Sequence, residues 1–407
     1  MSRADPPFPG ARRAGGGALS LRSGGTRRTA LALAALALAA LAAVALLWRG
    51  GRGGGERERP ALHSYEPREL VPGGNQPVAP RVAPELEQLE RSGLEAAAAY
   101  AGEHDSDALI VSRHDHIVFE RYWHGTGFDT LADSQSLTPL LAALAAGVAV
   151  SHRLIGWPDE PVGAFIGEWS QDPRGAITVR NLLQMSSGLA PAQHGGRSTD
   201  LEANALAAPL GGIPGRTRLE QASDPQLLAL LIERAAHRRY ASYLSQVLWR
   251  RVGAADAWLW LDRPGGAAHA DCCMIARQGD WIRIGQLLVR DGNYRGEELI
   301  RPGWVALMRS PAAADPQYGA YVRLAAAPAS YEPYAERDVF AAEGPGGNRL
   351  WIVPALQLAI LCSGAARGRD REFDESRIPN LIVRAARDYR PPPAQPARDI
   401  SALVPGH

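Results

Sequence analysis

The stretch DSQSLTPLLAALAAG, residues 133–147, sets a serine hydroxyl, Ser136, just ahead of a long apolar run. A serine at the head of a helix can attack an acyl carbon when a base one helical turn later takes its proton. The residue at that spacing is Pro139, which can do neither half of a proton transfer. The neighbouring frame, Ser134 with Leu137, offers no base either. Lysine is absent from all 407 residues, so no lysine displaced in sequence can stand in. His124 and His194 are isolated histidines, readable as rescue bases but more simply as packing or surface groups. Tyr240 and Tyr243, three apart on one helical face, read as packing residues.

Proline also shapes the start of the run. It suits the first position of a helix and disfavours helical backbone in the residue before it. LTPLL therefore predicts Thr138 as the cap of a helix beginning at Pro139. Ser136 would then sit before the first regular turn and lose the aim that a helix gives.

The three cysteines carry little. Cys272 and Cys273 are adjacent and Cys362 is far away, so at most one bond forms, and free buried thiols are expected. No His or Cys spacing suggests a metal site, and no cofactor is implied. A net charge of +1 excludes the strongly basic balance of a nucleic-acid binder.

The elements that must position these groups begin after a distinctive leader. Residues 1–28 form a basic segment, and 29–48 supply about twenty uncharged, mainly apolar residues, enough to cross a bilayer as a helix. The arginines before it favour a cytoplasmic N-terminus. A signal anchor is expected, with a cleaved signal peptide as the rival. That places the main domain in the periplasm, held by the inner membrane. Residues 49–84, rich in Gly, Pro, Arg and Glu, read as a flexible linker, 85–392 as the main domain, and 393–407 as a disordered tail. DALIVSR and HIVFERYW predict a hairpin turning at His114 and Asp115, and NRLWIVP with LQLAILCSG predicts a second strand pair. Between them, about residues 136–262 read as mainly helical. The five tryptophans 123, 169, 249, 281 and 351 are expected in the core, or in a ligand wall if they cluster at a cleft.

Over about residues 105–390 the chain resembles the penicillin-recognising serine hydrolases, in the branch of class C β-lactamases, D-alanyl-D-alanine peptidases, related esterases and 6-aminohexanoate-dimer hydrolases. The resemblance rests on ordered stretches: ALIVSRHDHIVFERYWHG, the Ser136 helix, ITVRNLLQMSSGL, YASYLSQVLWRRVGA, CCMIARQGDWIRIGQLLVRDGNYRGEELI and GPGGNRLWIVPALQLAILCSG. It implies an α/β (α+β) fold, a mixed sheet flanked by helices beside the helical subdomain. It also implies a serine nucleophile, a lysine base, a tyrosine proton shuttle and a Gly-rich strand edge carrying Lys or His. Ser136 matches the nucleophile and Pro139 replaces the lysine. Counting from Pro214 puts Glu220 at the tyrosine and Ala222 at its polar partner. EGPGGN keeps Gly344, Gly346 and Gly347 as a ligand-binding edge, or simply as a tight turn, without Lys or His. General bases contribute about 10²- to 10⁴-fold in rate, so losing base, shuttle and cationic edge together implies a degenerate site. The expectation is a binding or scaffolding protein, directed at cell-wall peptides or another envelope protein. The alternative is an active serine hydrolase of an ester, amide or β-lactam, in which Ser136 is served by a desolvated Glu220. A purely structural domain is a third reading.

Overall fold

The computed structural model describes residues 62–191, 199–325, 332–343, 347–364 and 373–391. The expected membrane segment 29–48, the tail 393–407, His194, Gly344 and Gly346 lie outside them. Among the described residues no helix is long and apolar enough to cross a membrane.

Strands β2 (Ala108–Arg113) and β3 (His116–Tyr122) form the expected hairpin. His114 and Asp115 between them both have positive φ, 47° and 66°, which suits the right-handed twist of the strands they join. Beside β2 runs β12 (Leu358–Ser363), then β11 (Arg349–Val353), β10 (Phe340–Glu343) and β9 (Arg323–Leu324), giving the order β3-β2-β12-β11-β10-β9. The sheet is thus assembled from both ends of the sequence. Every named strand pair is antiparallel, where a mixed sheet was expected. The corrected point is pairing direction, because short connections join β2 to β3, β10 to β11 and β11 to β12 as hairpins, which are antiparallel.

Alternate residues of the sheet feed two cores, as the period of two requires. Leu109, Val111, Trp351 and Ile360 meet helix α1 (Arg91–Glu103) and helix α9 (Arg377–Arg384). Ile110, Leu350, Ile352 and Leu361 join the larger core with α7 (Asp280–Val289). At Gly285 any Cβ would fall 2.7 Å from that of Ala359, so glycine lets α7 lie close on the sheet.

The helical part holds α2 (Thr138–Ser151), α3 (Val179–Leu183), α4 (Leu201–Ala207), α5 (Ser223–Ala236) and α6 (Tyr240–Leu244), with α8 (Pro302–Met308) following α7 in the chain. Residues 138–150 of α2 are all buried, the mark of a helix surrounded on every side. Helix α3 starts in a capping box, Thr178 and Asn181 each satisfying the other's backbone N–H.

Strand β7 (Asn293–Tyr294) pairs with β8 (Glu297–Glu298), and a second sheet, ordered β1-β5-β6-β4, joins Arg68–Val71, Ala257–Trp260, Met274–Arg277 and Leu131–Asp133. Its first strand comes from the segment read as linker. Residues 62–84 are held because Gly73 and Gly74 press against backbone: a Cβ on either would meet a carbonyl oxygen, of Ala254 or Arg250, at 2.3 Å. The N–H groups of Gly74 and Asn75 both donate to Ala254 O, at 2.8 and 3.0 Å. Glycines that suggested flexibility therefore serve close packing.

Candidate functional site

Strand β4 delivers Asp133 to the start of α2, and the chain crosses a short 3-10 turn, Gln135–Leu137, before the helix begins at Thr138. Ser136 thus precedes the first α-turn, as the proline pattern predicted; its side chain lies outside the described residues. The cap differs. Thr138 is already helical (φ −59°, ψ −44°), and its Oγ1 meets Ser134 Oγ at 2.9 Å and accepts from Met274 N at 3.3 Å. Ser134 Oγ also donates to Met274 O at 2.8 Å. These bonds fix the turn to β6 and occupy the hydroxyl of the alternative frame.

A cavity of about 410 Å³ opens at this turn. Gln135 and Pro139 line it, and Glu220 and Ala222 line it too. The positions that resemblance assigned to base, shuttle and polar partner therefore share one cavity, although they come from separate elements. The Glu220 side chain is 55% exposed, with Arg218 at 3.6 Å. The desolvation on which its role as a base depended is missing. Gly347, at φ 83°, is described but does not line this cavity. Its neighbour Asn348 carries the local contact, donating from Nδ2 to Asp133 O at 3.0 Å.

The rest of the lining was not foreseen. Tyr65, from the supposed linker, donates to Asp133 Oδ2 at 2.6 Å, and Asp133 also accepts from Gln135 N at 2.9 Å. Burial raises the Asp133 carboxyl despite those bonds. Arg218 lies over the Tyr318 ring, 3.5 Å from its centre. Arg323 donates to Glu343 at 2.8 Å and also to Glu375. Burial first, and the Glu375 charge second, push the Glu343 carboxyl upward. Asp133 and Glu343 alone of these had a signal in the sequence, since they open the stretches that carry Ser136 and the Gly-rich edge.

Behind Gln221, another lining residue, sits Asp224. It accepts from Ser187 Oγ at 2.6 Å and Gln221 Nε2 at 3.1 Å. Burial outweighs these bonds and raises its carboxyl to about 7.

Cys272 and Cys273 also line the cavity, and they are joined by a disulfide, contrary to the free thiols expected. Cys273 reaches φ 72°, a backbone turn that adjacency in sequence does not reveal. Cys362 remains a free buried thiol, raised to about 11 by burial. His269, Asp271 and Cys272 bring candidate ligand atoms within 4.8 Å of one another. The Cys272 sulfur is bonded to Cys273, so the trio lacks the thiolate a metal would need.

The other sequence candidates fall elsewhere. His124 pairs with Asp107 at 3.0 Å and Asp105 at 3.3 Å and does not line the cavity. Tyr240 and Tyr243 are buried and outside the lining, as packing residues should be. Trp169, Trp249, Trp281 and Trp351 are core, and Trp123 packs against Gly102; none of the five forms a cavity wall.

Residues 86–375 match the beta-lactamase family. The chain belongs to that family. A curated relative, the 6-aminohexanoate-dimer hydrolase of Paenarthrobacter ureafaciens, is 24% identical over 222 residues, spanning 49% of this chain and 56% of that protein. The match thus covers little more than half the length of that relative. Among solved structures, a Bacillus anthracis protein provisionally assigned as a 6-aminohexanoate-dimer hydrolase superposes with TM-score 0.64 at 16% identity, covering 80% of this chain and 90% of its own. A penicillin-binding protein homologue from Caulobacter crescentus gives 0.59 at 15%, covering 78% and 100%. At such identities the superpositions establish the beta-lactamase fold alone.

Proposed function

We propose that this beta-lactamase family domain binds a small ligand in the cavity beside Ser136 without performing acyl transfer. The observation that carries the reading is the shared lining of Pro139, Glu220 and Ala222. A serine hydroxyl is a weak nucleophile at neutral pH unless a base activates it. Here the helical neighbour is proline, the carboxylate across the cavity is largely solvated beside Arg218, and no lysine exists in the chain. We further propose a single-pass inner-membrane anchor through residues 29–48 with the domain in the periplasm, where cell-wall peptides or another envelope protein supply the ligand.

The purified full chain is expected to form no lasting acyl-enzyme with a fluorescent penicillin. It should hydrolyse p-nitrophenyl esters no faster than its Ser136→Ala variant. Serine-dependent turnover would overturn the binding reading, and its disappearance in Glu220→Gln would install the carboxylate-assisted hydrolase instead. For the address, a reporter that works only after export should be active when fused after residue 84. Activity there of a reporter restricted to the cytoplasm would reverse the topology.

A further inference from the structure

On the wall of the cavity formed by Asp271 and Cys272, a nitrogen, an oxygen and a sulfur converge. His269 Nδ1 lies 3.1 Å from Asp271 Oδ1 and 4.0 Å from Cys272 Sγ, and all three atoms fall within 4.8 Å of one another. A tetrahedral zinc ion, with bonds of about 2.0–2.3 Å, sets such atoms roughly 3.3–3.7 Å apart. The two separations from Nδ1 bracket that range. Asp271 and Cys272 face the cavity, whereas His269 is fully buried and does not line it. The trio therefore has the one-sided arrangement that leaves a metal's fourth position open.

The imidazole is held in place. Its ring stacks on Trp260, centres 4.2 Å apart and planes 10° apart, and His269 N donates to Trp260 O at 2.8 Å. Ala270 N donates to Gln226 Oε1 at 3.3 Å, which fixes the next residue. Nε2 is buried without a partner among the described residues, so Nδ1 is the nitrogen that faces other groups. The Cys272–Cys273 bond alone withholds the thiolate from this set. That bond supplies a second, independent sign. It joins sequence neighbours and closes almost no loop, so it removes little entropy from the unfolded chain. A role in stability is thus a poor account of it, and opening it should leave the fold standing.

We propose that reducing the Cys272–Cys273 disulfide opens a redox-gated site for a divalent cation of the zinc class, held by His269 Nδ1, Asp271 and the Cys272 thiolate. A dithiol supplies the two electrons and two protons: its own S–S bond forms as the Cys272–Cys273 bond breaks, leaving two thiols. The metal then displaces the Cys272 proton to solvent. One thiolate and one carboxylate balance the ion's two positive charges, and the neutral imidazole completes the set. Sulfur and nitrogen ligands favour zinc over magnesium or calcium. Oxidising conditions keep the pair joined and the site closed. The inference goes beyond the non-catalytic reading above and does not depend on it.

The test titrates Co²⁺ into the purified full chain under nitrogen, before and after reduction by a dithiol that is then removed. Thiolate ligation gives Co²⁺ a near-ultraviolet charge-transfer band, and Zn²⁺ should displace the ion and erase that band. The band should appear in the reduced chain and be absent from the oxidised one. Cys273→Ser cannot close the disulfide and should bind Co²⁺ without any reduction, whereas Cys272→Ser should give no band in either state. His269→Gln and Asp271→Asn, made in the Cys273→Ser background, should each weaken binding at least about tenfold. Thermal unfolding identifies any variant that fails to fold, and the remaining ones then decide. Binding that is equal before and after reduction, a band retained in Cys272→Ser, or no band in folded Cys273→Ser overturns the inference. So does loss of the folded state when the wild-type chain is reduced.

Discussion

The six-stranded sheet and the cavity lining follow opposite chemistry. In the sheet, β2 and β12 are buried at every residue; their apolar side chains divide between two cores, and Ser112, Arg113 and Ser363 are hydrogen-bonded. Around the cavity, acids and arginines crowd together, and Glu343 Oε2, Gln221 Oε1 and Arg323 Nε remain buried without partners among the described residues. Polar satisfaction is close to complete in most native interiors. Unpaired buried polar atoms among the described residues also occur away from the cavity, at Tyr240, Asp262 and Asp338 among others, so what sets the lining apart is its density of charged groups. The difference teaches that apolar packing holds the sheet, whereas the cavity gathers charged groups from separate elements.

The most damaging way to probe that contrast is to cut into the sheet. Trp351 is fully buried, and its Nε1 donates to Tyr334 Oη at 3.3 Å. Trp351→Ala should cost about 3–5 kcal/mol, read as a lower midpoint in urea unfolding. A loss far below that would mean the sheet is not the stable partner in the comparison.

A smaller effect tests the layer just behind the cavity. Asp224 is raised from 3.8 to about 7 mainly by burial. The folded state therefore binds a proton that the unfolded state has already released across that interval. Its contribution is fully present below pH 3.8 and is lost as pH rises through about 7. Wild-type stability should fall across that window relative to Asp224→Asn by up to a few kcal/mol, and the difference should level off above it. Parallel pH profiles for the two proteins would show that Asp224 is not held protonated.

Smaller still is the cap of α3. Removing the Thr178 hydroxyl from its box should cost about 1 kcal/mol as Thr178→Ala, measured by the same unfolding assay. The least change belongs to the cavity rim. Glu220→Gln, at an exposed side chain, should alter stability by less than about 0.5 kcal/mol. Pro139→Lys alone should also leave penicillin acylation absent, because Glu220 can hold the new lysine protonated. A penicillin adduct in Pro139→Lys would mean that a single residue separates this cavity from catalysis.

Much of the scaffold was legible because its signals are local. The hairpin at His114–Asp115 and the placing of Ser136 ahead of the first α-turn each follow from a few neighbouring residues whose backbone preferences agree. Ser136, Pro139 and Glu220 could be singled out for the same reason, since spacing along short segments carries the resemblance. The first strand was missed because PGGN reads as a flexible run, and only the approach of Ala254 and Arg250 reveals that those glycines are needed for contact. The disulfide was missed because adjacency permits the bond without requiring it.

What the sequence alone determined is the fold family, most of the elements and the absence of a lysine base. These depend on residue type and on periodicity within one segment. What only the tertiary structure decided is the company each site residue keeps. Tyr65, Asp133, Arg218, Cys272, Tyr318 and Glu343 come from distant parts of the chain and meet at one cavity. Exposure of the Glu220 carboxylate and burial of the Asp133 and Glu343 carboxyls are set by that meeting. A charge's free energy depends on the solvent and partners around it in space, and no spacing along the chain specifies those.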